Sequence, residues 1–202
     1  MDILTADAAG IARVVQLLRA GEVVGFPTDT VYGLAALARH GRAVRKVFEV
    51  KGRSLSQPLV LMVADAAQLE SWAHVDERAR AYMQRWWPGP LTLVLRACEG
   101  IGPPLTSATQ PRTIAARIPD HPVALELLRA AGEPLATTSA NRSGEPPALT
   151  PLESAWVEGL AAVLDGGRAP GAVPSTLLDL SRDEPRILRA GPVPAESLVA
   201  GA

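Results

Sequence analysis

Lys51 and Arg53, and Ser139 and Asn141, form two pairs of polar residues whose types and spacing suit a negatively charged ligand. The first pair flanks a glycine directly before an apolar run, and the second lies in a dense polar stretch that follows a short predicted strand. Small hydroxyl and amide side chains with free backbone N–H groups at a strand end suit phosphate or nucleotide binding. Neither a GxxxxGK[ST] pattern nor a GxGxxG after a strand occurs, so a nucleotide site would use neither common fingerprint. A solvated basic turn remains the alternative for the first pair.

Two more arginines and a hydroxyl-rich loop extend this pattern. Arg117 stands in an apolar strand-like run, where it either pairs with an internal carboxylate or grips a ligand carboxylate or phosphate through its fork. Arg189 stands at the end of the last predicted strand. Lys51, Arg53 and these two arginines have no local partners in the sequence, which suggests a polyanionic ligand. The loop over 25–34, GFPTDTVYGL, is either a polar turn or one wall of a ligand pocket, and Asp29 is expected to hold this loop or a neighbouring backbone amide.

Aromatic residues make up only 4% of the chain, so aliphatic residues must do most of the packing, which favours an α/β fold with a sheet covered by helices. Ligands of open sheets lie in the crevice beyond strand ends, where the hydroxyl-rich loops and cations recur. The predicted helices cover 7–20, 42–50, 65–72, 76–87, 121–131 and 150–159. The predicted strands cover 22–26, 34–38, 58–63, 91–95, 113–119, 135–137, 160–164, 175–180 and 187–189. A frayed helical turn is predicted over 194–202.

Composition limits the class of protein. The 202 residues are 48% hydrophobic, which is ample for one core, and we expect a single domain over 1–193 with a tail over 194–202. A formal net charge of −1 argues against a protein whose main role is to coat nucleic acid. One cysteine, no secretory leader pattern and no apolar run of spanning length predict a cytoplasmic protein without a membrane segment.

The order of seven segments closely resembles the Sua5/YrdC/YciO family, and in particular its short YrdC-like threonylcarbamoyl-AMP synthases. The resemblance covers nearly the whole chain, and it implies a single YrdC-like α/β domain with an open twisted mixed sheet flanked by helices and a basic concave cavity. It rests on GFPTDTVYGL, KGR before the apolar run, WPGPLTLVL, TIAARIP, TTSANRSG, PSTLLDL and ILRAG. The lysine-x-arginine and serine-x-asparagine signatures of the family fall on the two polar pairs described above.

The resemblance implies a nucleotidyltransferase that forms threonylcarbamoyl-AMP and pyrophosphate from ATP, L-threonine and bicarbonate. A partner complex would then pass the threonylcarbamoyl group to adenosine 37 of certain tRNAs, and Mg²⁺ would accompany ATP as cofactor. Lys51 and Arg53 would carry the charge stabilisation of catalysis. The implied threonine site is Thr30, Met62, Arg117, Thr137 and Ser175, and the implied ATP site is Lys51, Arg53, Gln57, Thr113, Ser139, Asn141, Pro147 and Arg189, with no protein ligand assigned to a metal.

Three departures from the family and two rival classes remain. Met62 stands where longer archaeal members have a threonine-contacting histidine, Ser54 replaces the proline that often follows the KxR motif, and no C-terminal Sua5 domain is expected. One rival is a YciO-like RNA-binding protein without this activity, whose basic concave surface would hold double-stranded RNA by shape. The other is the related domain of hydrogenase-maturation carbamoyltransferases, against which the single Cys98 argues.

Overall fold

A computed structural model describes residues 1–108, 111–142, 144–154, 158–171 and 173–199. Within these residues, strands and helices alternate along most of the chain. In chain order they are β1 (Asp2–Thr5), α1 (Ala8–Arg19), β2 (Val23–Phe26), β3 (Gly33–Leu37), α2 (Gly41–Lys51), β4 (Val60–Met62), α3 (Glu77–Trp86), β5 (Leu91–Arg96), β6 (Thr113–Arg117), α4 (Pro122–Ala131), β7 (Leu135–Ser139), β8 (Leu160–Asp165), β9 (Thr176–Asp179), β10 (Arg186–Arg189) and α5 (Ala195–Val199).

All ten described strands join one sheet in the order β1-β8-β2-β3-β7-β4-β6-β5-β9-β10. The pairs β1·β8, β2·β8, β4·β6 and β5·β9 are parallel, and the other five pairs are antiparallel. The predicted mixed sheet flanked by helices is therefore confirmed. Because β2, β3, β7, β4 and β6 are neighbours, the sheet brings the loop after β2 and the polar end of β7 close to the strand that carries Arg117.

Helices cover both faces of the sheet, and each helix buries one apolar stripe. On α1, the side chain of Asp7 accepts a hydrogen bond from Gly10 N at 2.8 Å and caps the first turn, while Ile11, Val14, Val15 and Leu18 are buried. The stripes of α1 and α4 share one core cluster, and those of α2 and α3 belong to the other. The two clusters fix the sheet between two helical layers.

A glycine ends α2 and sets the direction of the KGR segment. Gly52 has φ of 63°, in the left-handed region that glycine adopts without a side-chain clash. Its amide donates to the carbonyl of Glu49, and Arg53 N donates to the carbonyl of Phe48. Lys51 is thus the last helical residue and Arg53 leaves along a different direction.

Some predicted elements are shorter than expected, and one strand was missed. The predicted helix over 65–72 is a single 3-10 turn at Ala66–Leu69, and that over 150–159 is a 3-10 turn at Leu152–Ser154, with 155–157 outside the described residues. Strand β1 has a mostly exposed edge pattern without apolar alternation, which explains why periodicity did not find it. The frayed turn over 194–202 contains α5, where Tyr82 donates to the carbonyl of Leu198, and 200–202 lie outside the described residues.

No helix in the described part of the chain combines the length and the apolar character needed to cross a bilayer. The division of the chain at residue 193 stays a prediction.

Candidate active site

A cavity of about 100 Å³ lies on the sheet face that α1 and α4 partly cover. Met62 belongs to the core cluster under these helices and also lines the cavity, which fixes the face. The lining combines hydroxyl groups with three arginines and contains no carboxylate among the described residues. The lining residues are Thr28, Thr30, Val31, Tyr32, Gly33, Arg53, Pro58, Val60, Met62, Thr92, Arg117, Thr137, Thr138, Ser139, Pro174, Ser175 and Arg189.

The loop between β2 and β3 is held rigidly by its own side chains. The hydroxyl of Thr28 donates to the carbonyl of Val31 at 2.6 Å and lies 3.0 Å from the hydroxyl of Thr30. The Tyr32 hydroxyl donates to the carbonyl of Gly167 at 2.6 Å, and burial raises the pKa of Tyr32 to about 12. These contacts shape the loop as one wall of the cavity.

Arg117 is the most buried cation of the site, with 2% of its surface exposed. Its Nη2 lies 2.5 Å from Asp29 Oδ1, its Nη1 donates to Thr30 Oγ1 at 3.0 Å, and its Nε donates to the carbonyl of Gly89 at 2.8 Å. Burial lowers the pKa of this guanidinium, and the charge of Asp29 opposes that shift. Of the two sequence interpretations for Arg117, the internal ion pair is present here. The sequence predicts that Asp29 holds its loop or a neighbouring backbone amide, and the described contact of its carboxylate is the ion pair with Arg117.

Arg53 and Arg189 also line the cavity, and each is held by carbonyl oxygens. Arg53 donates to the carbonyls of Gln57 at 2.9 Å and Pro58 at 3.2 Å, and Arg189 donates to the carbonyl of Ser175 at 2.9 and 3.0 Å. Burial, followed by the charges of Arg117 and Arg53, lowers the pKa of Arg189. Among the described contacts, the partners of Arg53 and Arg189 are neutral oxygens, so neither cation meets a counter-charge there. An anionic ligand would relieve the repulsion among the three arginines.

The hydroxyls of Ser175 and Thr92 lie 2.7 Å apart in the buried wall of the cavity. Ser175 Oγ also accepts a hydrogen bond from Arg189 Nη2 at 3.2 Å. The two hydroxyls carry two hydrogens, and only one is used between them, while arginine is a donor and accepts neither. Within the described contacts, this pair therefore keeps one hydroxyl hydrogen for a ligand oxygen.

Lys51 lies beside the cavity and links the two polar pairs found in the sequence. Its Nζ donates to the carbonyl of Ser139 at 2.6 Å, to Ser139 Oγ at 2.9 Å and to Asn141 Oδ1 at 2.7 Å. Only 4% of Lys51 is exposed, and burial, together with the charge of Arg53, lowers its pKa to about 7. The three described acceptors are neutral oxygens, so a phosphate placed nearby would favour the charged form of this lysine.

Replacement of Lys51 by methionine is expected to remove a pH dependence of stability. The folded pKa of Lys51 is about 7, whereas an unfolded lysine titrates near ~10.4, so between these values the unfolded chain binds a proton that the folded chain does not. The free energy of unfolding should therefore rise with pH in that window, by up to ~1.4 kcal/mol per pH unit. Below pH ~7 both states bind the proton, so the destabilising effect of burying Lys51 should be complete there. Urea denaturation at pH 7 and pH 9 measures the rise, which Lys51→Met should flatten. Lys46→Met is the control, because Lys46 lies on the same helix, is partly exposed and pairs with Glu22. Equal slopes in wild type and Lys51→Met would contradict the burial of a titrating lysine.

The structure brings most of the predicted site residues to one cavity. Thr30, Arg53, Met62, Arg117, Thr137, Ser139, Ser175 and Arg189 line it. Lys51, Gln57, Thr113, Asn141 and Pro147 do not line it. Lys51 and Asn141 each form a hydrogen bond with Ser139, which lines the cavity. The carbonyl of Gln57 accepts a hydrogen bond from Arg53 and orients it. Their roles in binding stay predictions.

Thr92 is a cavity residue that the sequence reasoning missed, although a signal for it existed. In LTLVL the leucines 91, 93 and 95 alternate, so Thr92 faces the opposite side of β5, and it is fully buried. A buried hydroxyl on a central strand needs a partner, which here is Ser175.

The fold and the cavity define an α/β protein with a hydroxyl-lined cavity that three arginines border, on one face of a mixed sheet. The sequence model of the family Sua5_yciO_yrdC, described as "Telomere recombination", matches residues 16–191. The chain belongs to this Sua5/YciO/YrdC family.

Relatives and solved structures agree with that membership. The chain is 41% identical over 203 residues to the threonylcarbamoyl-AMP synthase of Bacillus subtilis, covering 98% of this chain and 58% of that protein. It is 39% identical to the threonylcarbamoyl-AMP synthase of Stenotrophomonas maltophilia, covering 89% of this chain and 95% of that protein. P. abyssi Sua5 complexed with L-threonine superimposes with a TM-score of 0.92 at 36% identity, covering 99% of this chain and 60% of that chain. E. coli YciO superimposes with a TM-score of 0.87 at 26% identity, covering 98% of both chains.

Proposed function

We propose that this chain is a nucleotidyltransferase that forms threonylcarbamoyl-AMP and pyrophosphate from ATP, L-threonine and bicarbonate. The observation that carries the proposal is the gathering of Arg53, Arg117 and Arg189 around a small cavity whose other polar groups are mainly hydroxyls. One relative named threonylcarbamoyl-AMP synthase is matched by this chain across 95% of its own length, so proteins about as long as this chain carry that name.

Threonine occupies the enclosed part of the cavity in this proposal. A volume of about 100 Å³ lies well below the roughly 300–1,000 Å³ of sites for drug-sized ligands, so it suits an amino acid better than a nucleotide. The amino acid carboxylate binds Arg117, and the side-chain hydroxyl accepts the free hydrogen of the Ser175–Thr92 pair. Thr30, Met62 and Thr137 complete the walls.

ATP extends from the cavity across the polar pairs. Its phosphates contact Arg53, Lys51, the hydroxyl of Ser139 and Arg189. Gln57, Thr113, Asn141 and Pro147 are the remaining proposed ATP contacts. A phosphate beside Lys51 replaces neutral oxygens with a negative charge, which favours the ammonium form of this buried lysine.

The proposed reaction requires little covalent chemistry from the protein. The neutral amine of threonine combines with bicarbonate to give a carbamate and water. A carbamate oxygen then attacks the α-phosphorus of ATP, and the bond to the β-phosphate oxygen breaks with its electron pair, releasing pyrophosphate. Positioning of the two reactants and stabilisation of the developing negative charge by Arg53 and Lys51 supply the rate enhancement.

Mg²⁺ enters with ATP as part of the substrate. Over the described ranges, no group of three His, Cys, Asp or Glu side chains is arranged to hold a metal ion. The oxygens near the outer cavity are hydroxyls, amides and carbonyls, which can complete the coordination of an ion that phosphates already hold.

Pyrophosphate release with ATP and Mg²⁺, measured while threonine and bicarbonate are omitted in turn, tests this function. Release should require both. Equal release without threonine would contradict the proposal. Salt-sensitive RNA binding without turnover would instead support the YciO-like alternative, which the lower identity to YciO than to Sua5 disfavours.

The product is expected to pass, in the cytoplasm, to a separate transferase complex that modifies adenosine 37 of tRNA. The net charge of −1 supports a small-molecule site with at most weak RNA binding. Co-purification of a transferase with the chain, in the presence of threonine and MgATP, checks the hand-over.

A further inference from the structure

Gly191 lies directly against the backbone of Ser175, one of the two residues of the hydroxyl pair in the cavity wall. A Cβ atom at position 191 would stand 2.4 Å from Thr176 N, 2.6 Å from the carbonyl carbon of Ser175 and 2.7 Å from the carbonyl oxygen of Pro174. The optimal separation of non-bonded carbon atoms is ~3.5–4.0 Å, so a side chain does not fit here. All three neighbouring atoms belong to the main chain, and a change of rotamer cannot move them aside. This close approach therefore requires glycine.

The chain on either side of Gly191 is fastened to the same place. Before it, Arg189 donates to the carbonyl of Ser175 at 2.9 and 3.0 Å and to Ser175 Oγ at 3.2 Å. After it, Val193 N donates to Thr176 Oγ1 at 3.0 Å, and the same hydroxyl donates to the carbonyl of Val193 at 3.0 Å. Gly191 stands midway between these two attachments, so its contact sets how closely the chain approaches Ser175.

Strand β10 brings this part of the chain to the cavity from the edge of the sheet. Its pairing with β9 shifts register between Ile187 and Arg189, and irregularities of this kind re-aim side chains beside functional sites. Here the side chain of Arg189 lines the cavity. In the described sheet β10 has β9 as its one neighbour, so an outward movement of residues 189–193 would meet no further strand there. Such a movement would take Arg189 away from Ser175.

We propose that Gly191 is a positioning residue for amino acid specificity: it lets residues 189–193 lie against Ser175 and so holds the Ser175 hydroxyl beside that of Thr92, where the pair reads the substrate hydroxyl. The inference rests on the proposed binding of L-threonine. A side chain at position 191 displaces either Ser175 or residues 189–193, and in both cases the hydrogen bonds from Arg189 to Ser175 change. The hydroxyl pair then loses the fixed direction by which it distinguishes a hydroxyl from a methyl group.

Gly191→Ala tests this role through the ratio of kcat/KM for L-threonine and L-valine in pyrophosphate release. This ratio does not depend on how much of the protein is folded, because both substrates meet the same folded molecules. It should fall at least about tenfold, toward the value of about a hundred that is typical of pockets that distinguish shape alone. Gly21→Ala is the matched control, because its φ of 83° and the His40 ring 2.8 Å from the added Cβ make it destabilising at a position outside the cavity lining. Its melting temperature should fall while its ratio matches that of the wild type.

Thr176→Val and Thr176→Ser test the same contact without an added atom at position 191, and they decide the question if Gly191→Ala does not fold. Valine removes both hydrogen bonds to Val193, so the ratio should fall, whereas serine keeps the hydroxyl and should keep the ratio. A wild-type ratio in folded Gly191→Ala, or in Thr176→Val where Gly191→Ala is unfolded, would overturn the role of Gly191 while the wild type still rejects valine. A wild type that does not turn over threonine would instead overturn the proposed function, and this role with it.

Discussion

L-Valine is expected to support pyrophosphate release about ten thousand times less efficiently than L-threonine, the discrimination typical of a site built to hydrogen-bond a substrate hydroxyl. The reason is the hydroxyl hydrogen that the Ser175–Thr92 pair keeps for a ligand. A methyl group in that position would leave a buried donor unsatisfied. The ratio of kcat/KM for the two amino acids measures the effect.

The double variant Thr92→Val with Ser175→Ala is the matched test, because each hydroxyl alone could still donate its hydrogen. Its threonine-to-valine ratio should fall to about a hundred or less, the range of pockets that distinguish only shape. L-Serine lacks one methyl group, worth ~1–3 kcal/mol, and should remain a poor but measurable substrate of the wild type. Valine turnover equal to that of threonine would show that no hydroxyl-reading site exists.

Arg53→Ala is expected to be folded and nearly inactive. Arg53 lines the cavity, and the carbonyls of Gln57 and Pro58 aim its guanidinium. Loss of one well-placed donor costs ~3 kcal/mol of barrier, a factor of roughly a hundred or more in rate. Its two acceptors lie on one short loop, so the fold should survive and the circular dichroism spectrum should match that of the wild type.

Two further variants serve as comparisons for Arg53→Ala. Arg53→Lys keeps the charge but loses the fork, so it should recover only part of the activity. Arg129→Ala, on the exposed surface of α4, should match the wild type. Turnover of Arg53→Ala at the wild-type rate would remove Arg53 from the proposed catalytic role.

The helices that frame the site were predictable because their signals are local. The buried positions Ile11, Val14, Val15 and Leu18 repeat at helical spacing, and Gly52 ends α2 where the KGR segment begins. Segment 65–72 also has an acidic cap at Asp65, but only one 3-10 turn follows, because a short segment depends on its packing more than on its cap.

The pairings within the site were not predictable from one sequence. Asp29 and Arg117 are 88 positions apart, and their contact depends on the sheet order that places β2 and β6 on either side of β3, β7 and β4. The sequence left open whether Arg117 pairs with a carboxylate of the protein or binds a ligand. The short distance between Arg117 and Asp29 shows that the internal pair is present. Thr92 was visible as a polar residue in an apolar strand, but its partner Ser175 lies on another strand end 83 positions away.

The identity of the product tests the central claim most directly. Purified chain is incubated with MgATP, L-threonine and ¹³C-bicarbonate, and the nucleotide products are separated and analysed by mass spectrometry. The account predicts an adenylate that contains threonine and carries the ¹³C label, formed together with pyrophosphate. Formation of AMP or ADP alone, or of an adenylate without the label, would contradict it.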